Sequence, residues 1–226
     1  MKISHDKRVN RGMTLIEVLM VLAALMVLAA IFLPAMLRRP NMNKARALRI
    51  QCVNNLKQIG LATRVWEGDN NDKYPTAVSV TNGGAMELMT GPNAWKFFQV
   101  MSNELSTPKV VFCPEESDKA RFTATNFTFF NNSNISFFVG VDANETNAQM
   151  LLSGDHNITN GTTVKNGVLK LIALQPVGWT TEMHNKVGNI CLADGSVQQI
   201  SSAGLQSAVA STGMATNVLN MPVLGP

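Results

Sequence analysis

A single carboxylate at the start of a long apolar stretch is the residue of this chain with the clearest chemical consequence. Glu17 precedes twenty consecutive residues, 18–37, that carry no charge. At ~1.5 Å per residue, a helix of that length spans ~30 Å, the thickness of a bilayer core. An ionised side chain in such a helix costs ~2.5–3.5 kcal/mol at the bilayer centre and less near its edge, which marks it as a functional candidate. The chemistry predicted for Glu17 is pairing with a positive charge, and the alternative is solvation at the level of the lipid headgroups.

The cysteines are the second set of residues with chemical potential. Cys52, Cys113 and Cys191 form no CxxC pair and no Cys/His zinc spacing, so a structural metal knuckle is not predicted. If the domain lies outside the cytoplasm, one disulfide is expected, and Cys52–Cys113 is the preferred pair. Three buried free thiols are the alternative.

His184 and the Asp194-Gly195 pair near the C-terminus are a third candidate. Residues 189–193 (NICLA) and 197–200 (VQQI) flank Asp194-Gly195, which predicts a β-hairpin that turns at this dipeptide. In the structural interpretation, His184 packs across the hairpin or hydrogen-bonds to a turn carbonyl. In the catalytic interpretation His184 and Asp194 act as a pair, but such a pair also needs a nucleophile, which the sequence does not identify.

An oxygen-rich loop at residues 69–72 (DNND) contains weak candidates for calcium ligands, Asp69 and Asp72. The loop lacks the glycine and the terminal glutamate of an EF-hand. A turn-forming loop is therefore the preferred interpretation. No other metal or cofactor is predicted.

Composition and charge limit the possible partners. Apolar residues make up 46% of the chain and charged residues 15%, against ~25% charged residues in typical soluble domains. The net charge of +4 is concentrated in residues 1–12, and the rest of the chain is nearly neutral. A nucleic-acid partner would need a clustered basic face, so none is predicted. Basic residues ahead of the apolar stretch favour a cytoplasmic N-terminus, which places the remainder in the periplasm of a two-membrane bacterium.

Residues 11–18 (RGMTLIEV) resemble the cleavage and methylation motif of type IV prepilins and type II secretion pseudopilins. The resemblance implies cleavage after Gly12 by prepilin peptidase and N-methylation of the new first residue, Met13, which replaces the usual phenylalanine. Glu17 would then be the fifth mature residue. In the family, this carboxylate pairs with the terminal amine of a neighbouring subunit during assembly.

Pro34 has two interpretations that the sequence leaves open. The resemblance implies that the helix melts locally at this proline when subunits pack together. Alternatively, Pro34 ends the membrane helix just before Arg38 and Arg39, because proline removes a helical hydrogen bond.

Two further segments resemble a subgroup of pseudopilin-like proteins that is abundant in planctomycetes and verrucomicrobia. The first is residues 52–62 (CVNNLKQIGLA). The second runs from His184 to Gly195, in which nine residues separate the histidine from Asp-Gly. The resemblance carries no established chemistry for this signature.

The remaining pattern predicts an α+β fold. Apolar residues recur every three or four positions over residues 43–67, which predicts an amphipathic helix with Asn43 as its N-cap. We expect strands at 109–113, 134–141, 149–153 and 168–174, one short helix within 91–105 and another at 202–211. The expected architecture is a long N-terminal helix, half membrane-embedded and half amphipathic, packed on a small antiparallel sheet. The predicted organisation is a basic leader (1–12), a transmembrane and assembly helix (13–37), an amphipathic stalk (38–68) and a globular α+β domain in the periplasm (69–226).

The leading functional hypothesis is a non-enzymatic, structural subunit of a type II secretion pseudopilus in the bacterial inner membrane. Its expected partners are prepilin peptidase, other pilin or pseudopilin subunits, an inner-membrane assembly platform and the lipid bilayer. One alternative is a subunit of a surface type IV pilus used in adhesion or motility. Another is a membrane-anchored periplasmic enzyme or binding module, but no GxSxG, HExxH or P-loop motif supports an enzyme.

Overall fold

The computed structural model describes residues 14–36 and 40–224. The described residues divide into two compact units, one ending at Lys44 and the other beginning at Ala45. The first unit contains the apolar N-terminal helix. The second unit, called the head below, contains most of the second helix and all of the strands.

Two helices account for most of the N-terminal third. Helix α1 spans Leu15–Met36 and is almost entirely apolar. Helix α2 spans Pro40–Asp69, so it begins three residues before Asn43, the predicted N-cap. A proline is well suited to a first helical turn because it has no N–H to leave unpaired. The buried residues of α2 recur every three or four positions, as the amphipathic pattern predicted. They include Cys52, Leu56, Ile59, Ala62 and Trp66.

The head is built on a six-stranded antiparallel sheet in the order β4-β8-β1-β2-β6-β7, and β3 pairs with β5 in a separate two-stranded ribbon. The α+β class with a long N-terminal helix is therefore confirmed. The strands are β1 Phe137–Gly140, β2 Leu151–Asp155, β3 Ile158–Thr159, β4 Val168–Ile172, β5 Gly178–Trp179, β6 Val187–Leu192, β7 Val197–Ser201 and β8 Thr216–Asn220.

Both faces of the central strands are buried. In β1, Phe137 and Val139 pack in one hydrophobic cluster, together with the buried side of α2. Phe138, between them in sequence, packs in a second cluster on the other face of the sheet, with Leu205 of the helix described next. Because successive side chains of a strand point to opposite faces, a strand covered on both faces is apolar throughout.

Three short helices complete the head: α3 (Ala94–Val100), α4 (Ser102–Leu105) and α5 (Ser202–Ser211). The helix predicted at 202–211 and the strands corresponding to β1, β2 and β4 are confirmed. One short helix was predicted within 91–105, and the structure has two there, α3 and α4. The strand predicted at 109–113 is wrong, because a 3-10 turn spans Pro108–Val111. Pro108 has no N–H for a strand ladder, and the Thr107 hydroxyl accepts the Lys109 N–H at 3.4 Å, which favours the turn.

Candidate functional site

Helix α1 is long and apolar enough to cross a membrane along Leu15–Leu33, judged by length and composition. Its large apolar side chains are exposed on every side; Leu19 is 61% exposed and Phe32 is 64% exposed. Exposing this much contiguous apolar surface to water is unfavourable, at about 25 cal/mol per Å². The helix therefore has the properties of a membrane anchor or of a surface that other apolar helices cover.

Glu17 lies in the first turn of α1, where its carboxylate meets Thr14. The Thr14 backbone N–H donates to Glu17 Oε2 at 2.8 Å, and the Thr14 hydroxyl donates to the same oxygen at 3.0 Å. The Glu17 N–H in turn contacts the Thr14 hydroxyl oxygen at 3.4 Å. This Thr-x-x-Glu arrangement resembles a capping box, in which two side chains satisfy backbone groups at a helix start. The carboxylate therefore has a local partner within its own chain.

The other N-terminal candidates are only partly covered by the structure. Gly12 and Met13, the predicted cleavage and methylation residues, lie outside the described residues. Pro34 lies in the last turn of α1, which ends at Met36.

In the head, the two segments that resemble the pseudopilin-like subgroup pack against each other. A Cβ atom placed on Gly60 of α2 would lie 2.9 Å from Cys191 Sγ and 3.1 Å from Gly195 Cα. Gly195 has a φ of +82°, a left-handed conformation that favours glycine. The Asp194 carboxylate accepts the Ser196 N–H at 2.8 Å and so stabilises its own turn. The predicted hairpin between β6 and β7 is confirmed, and its tip lies against α2.

A disulfide holds α2 to the segment that follows the 3-10 turn. It joins Cys52 and Cys113, the pair preferred from the sequence, across 61 residues of chain. Close by, the Asn55 side-chain amide donates to the Phe112 carbonyl at 2.9 Å. Cys191 is a buried free thiol, and burial raises its pKa to about 12. It is therefore an inert core residue at neutral pH.

His184 is the centre of a buried polar cluster. Its side chain is fully buried, and its Nδ1 is hydrogen-bonded to the Glu115 carboxylate. Its Nε2 lies 3.3 Å from Asp155 Oδ2 and 3.5 Å from Cys113 Sγ. Burial lowers the pKa of His184, although Glu115 opposes that shift. Burial also raises the pKa of Asp155 to about 8, against hydrogen bonds donated by Asn189.

This cluster connects four parts of the head: α2, the segment after the 3-10 turn, the end of β2 and the loop before β6. Arg49 of α2 places its Nε 3.6 Å from Glu115 Oε2 and donates to the His184 carbonyl at 3.5 Å. The sulfur near His184 belongs to the disulfide, so it is neither a thiolate nucleophile nor a metal ligand. His184 has Glu115 and Asp155 as partners, whereas Asp194 serves its own turn. The arrangement supports the structural interpretation of the signature histidine.

A second group of buried charges lies beside the first and was missed by the sequence reasoning. The Glu116 carboxylate lies 2.9 Å from His156 Nε2, and the Arg121 guanidinium donates to the backbone carbonyls of Asn132 and Ile135, both at 2.9 Å. Burial opposes the ionisation of Glu116, but the hydrogen bond and charge of His156 lower its pKa to about 2. The sequence did contain a signal for these buried charges. It was the adjacent acidic pair 115–116, which directly follows Cys113-Pro114 in a chain with few charged residues.

The structure separates the two weak calcium candidates. Asp72 lies in a group with Glu67 and Glu145, in which one carboxylate oxygen from each residue is within 4.8 Å of the other two, and Asp69 is outside this group. Burial raises the pKa of Glu67 to about 7, and the neighbouring Glu145 carboxylate adds to the shift.

Comparison with protein families now identifies the class of the N-terminal segment. The model for the prokaryotic N-terminal methylation motif matches residues 7–33. This span contains Gly12, Met13 and Glu17 and ends within α1. The chain is thus type IV pilin-like at its N-terminus, and the motif implies processing by prepilin peptidase and pilin-type subunit assembly. No significant match to a curated protein or to a solved structure was found.

Proposed function

We propose that this chain is a structural subunit of a type II secretion pseudopilus, inserted in the bacterial inner membrane and assembled through α1. The observation that carries the proposal is the methylation motif placed directly at the start of an exposed, membrane-length apolar helix. A helix of this kind is stable in lipid as a stored subunit, and it is equally able to pack among identical helices in a filament.

The assembly chemistry follows from the first turn of α1. Cleavage after Gly12 creates a new amine on Met13, one residue before Thr14. The Glu17 carboxylate already accepts two hydrogen bonds from Thr14, both on Oε2. A carboxylate offers about four lone-pair sites, so Glu17 retains acceptor capacity for the amine of a neighbouring subunit. Because charge pairing is strong in a low dielectric, the pair would favour one axial stagger between subunits.

A periplasmic location for the head agrees with two observations. The basic leader favours a cytoplasmic N-terminus, which puts the head on the opposite side of the membrane. The Cys52–Cys113 disulfide belongs to the head, and disulfides persist in oxidising compartments such as the periplasm.

Exposed apolar side chains on α2 add a contact surface for other subunits. Ile50, Leu61 and Val65 are 54%, 65% and 51% exposed. Separations of 11 and 15 residues place Leu61 and Val65 on the same side of the helix as Ile50, because the helix turns by ~100° per residue. We propose that neighbouring subunits in the filament cover this side of α2.

The first test concerns processing. Mass spectrometry of the mature protein should show a chain that begins with methylated Met13, because the motif directs cleavage after Gly12. Replacement of Gly12 by valine should leave the leader attached. A mature protein that retains its first twelve residues, or one cut beyond α1 and released, contradicts the proposal.

The second test concerns assembly. Glu17→Gln keeps the shape of the side chain and removes its charge, so it should abolish filament formation while the protein still enters the membrane. Glu182→Gln makes the same chemical change at an exposed position of the head and is the matched control. Assembly is measured as cross-linked multimers in membrane fractions. If the Glu17 variant forms multimers as the control does, the role proposed for this carboxylate is wrong.

Immunogold electron microscopy distinguishes the pseudopilus from a surface pilus. Labelled structures confined to the cell envelope support the proposal. Long labelled fibres on the cell surface would instead support the pilus alternative.

A further inference from the structure

The side chains around the Cys52–Cys113 disulfide have the composition of a zinc site. The two sulfurs and one ring nitrogen of His184 all lie within 4.8 Å of one another. The Asp155 carboxylate approaches the same histidine, with Oδ2 at 3.3 Å from Nε2. Thiolate sulfur, imidazole nitrogen and carboxylate oxygen are the ligands that Zn²⁺ takes in proteins. While the disulfide is intact neither sulfur is a thiolate, so the question concerns the reduced head.

The distances from His184 Nε2 fit a tetrahedral ion. With Zn–N and Zn–O bonds of ~2.05 Å and Zn–S bonds of ~2.3 Å, tetrahedral ligands lie ~3.6 Å apart for nitrogen and sulfur and ~3.3 Å apart for nitrogen and oxygen. The observed separations are 3.5 Å to Cys113 Sγ and 3.3 Å to Asp155 Oδ2. The sulfur–sulfur separation of such a site, ~3.8 Å, becomes accessible once reduction removes the bond between the two cysteines.

The second nitrogen of His184 has the partner expected of a zinc-binding histidine. Its Nδ1 is hydrogen-bonded to the Glu115 carboxylate, which lies 3.6 Å from Arg49 Nε. An ionised carboxylate only accepts hydrogen bonds, so in the neutral imidazole Nδ1 carries the proton and Nε2 presents its lone pair. Metal-binding histidines almost always donate their other N–H to a carboxylate, a carbonyl or water, which fixes the ring and its tautomer.

Asp155 supplies an independent indication of a ligand. It is 0% exposed, yet its Oδ1 has no hydrogen-bond partner among the described residues. Its Oδ2 accepts the Asn189 backbone N–H at 2.7 Å and the Asn189 side-chain amide at 2.9 Å, and carboxylates that bind metals are held in this way. A buried carboxyl oxygen without a partner is costly unless another group satisfies it, and a cation bound by this carboxylate would do so.

We propose that the reduced head binds one Zn²⁺ through Cys52, Cys113, His184 and Asp155. Reduction by a dithiol transfers two electrons and two protons to the sulfurs, and the dithiol becomes a disulfide. Zn²⁺ then binds both sulfurs as thiolates and Asp155 as a carboxylate, and their protons pass to solvent. The ion and the disulfide exclude each other, and each ties α2 to the segment after the 3-10 turn. The site belongs to the head and does not depend on assembly through α1.

The test compares the oxidised and reduced forms of the full-length chain in detergent micelles, both stripped of metal and titrated with ZnCl₂ against a chromophoric chelator. The reductant is the phosphine TCEP, which gives up two electrons and becomes its oxide, while water supplies the oxygen and the two thiol protons. We expect one Zn²⁺ per reduced chain and none at this position in the oxidised chain. Equal binding by both forms, or no binding by the reduced form, overturns the proposal.

Two further measurements use the native sequence and so do not depend on whether a variant folds. Co²⁺ in place of Zn²⁺ should give the reduced chain the visible absorption of a tetrahedral ion and a thiolate charge-transfer band, because metal geometry and ligand type determine these spectra. At a Zn²⁺ concentration 100 times the Kd, mass action should raise the Tm of the reduced head by roughly 5–11 °C. An octahedral Co²⁺ spectrum, or a reduced head that Zn²⁺ does not stabilise, contradicts the proposed ligands.

Variants locate the ion. Under the same reducing conditions, Cys113→Ala removes a ligand and should abolish the thiolate charge-transfer band of Co²⁺ or reduce it by half. Cys191→Ala removes a buried thiol outside the group and should leave the spectrum and the Kd unchanged, which makes it the matched control. Glu115→Gln removes the charge behind His184 and should weaken Zn²⁺ binding roughly 10–100-fold, as changes beside a metal ligand do. If Cys191→Ala weakens binding as much as Cys113→Ala does, the ion is not held where we propose.

Discussion

The contact between α2 and the hairpin tip predicts that one glycine of α2 does not tolerate a methyl group. A Cβ on Gly60 would lie 2.9 Å from Cys191 Sγ, 3.1 Å from Gly195 Cα and 3.3 Å from the Gly195 carbonyl oxygen. Two of these three atoms belong to the backbone of a turn, which cannot move aside as a flexible side chain would. Overpacking of this kind costs about 1–3 kcal/mol.

The helix itself works in the opposite direction. Alanine is favoured over glycine within a helix by about 0.8–1.0 kcal/mol. Gly60→Ala should therefore destabilise the head by about 0–2 kcal/mol net. Gly68, in the same helix, has no atom within 4 Å of the position its Cβ would take, so Gly68→Ala should stabilise the protein by up to about 1 kcal/mol. The difference between the two variants isolates the steric cost.

Thermal unfolding of the two full-length variants in detergent, followed by tryptophan fluorescence, measures this difference. Trp66 is a buried reporter on the same helix. With ~2–4 °C per kcal/mol for a domain of this size, Gly60→Ala should melt roughly 2–12 °C below Gly68→Ala. If both variants melt above the native protein, α2 and the hairpin are not packed as described.

Two further predictions concern the disulfide and the buried carboxyl. Because Cys52–Cys113 spans 61 residues, the chain-entropy model attributes about 4 kcal/mol of stability to it. Urea unfolding of the Cys52→Ser/Cys113→Ser variant should show a loss of unfolding free energy of this order. Dithiothreitol should destabilise only the native chain. Burial raises the folded-state pKa of Asp155 from 3.8 to about 8, so the unfolded state, in which this carboxyl ionises more readily, becomes more favourable as pH rises through that range. Between pH 5 and 8 the native Tm should fall, and Asp155→Asn should show a shallower decline. Equal slopes would place the titration elsewhere.

Local patterns in the sequence were sufficient for several elements. The uncharged stretch predicted α1, and the three- and four-residue repeat predicted the buried side of α2. The Asp194-Gly195 dipeptide predicted the β6–β7 turn. Each of these signals is contained within one segment, where side-chain periodicity or backbone conformational preference decides the outcome.

Two elements show why the local signal is sometimes insufficient. The apolar residues 109–113 resemble a strand, yet a proline and a capping threonine produce a 3-10 turn there. Strand β8 was not predicted, although it lies between β4 and β1 in the sheet. Its burial pattern alternates only partly, and its strand character depends on partners that are distant in sequence.

The sequence by itself determined that the N-terminal segment is type IV pilin-like, because the methylation motif, its carboxylate and the membrane-length helix lie in contiguous residues. Only the tertiary structure decided which side chains contact His184 and which carboxylates lie near Asp72. Their partners, Glu115 and Asp155 for the histidine and Glu67 and Glu145 for the aspartate, come from separate parts of the chain. Charge and burial depend on distances in three dimensions, so such clusters are defined only after the sheet and α2 have packed together.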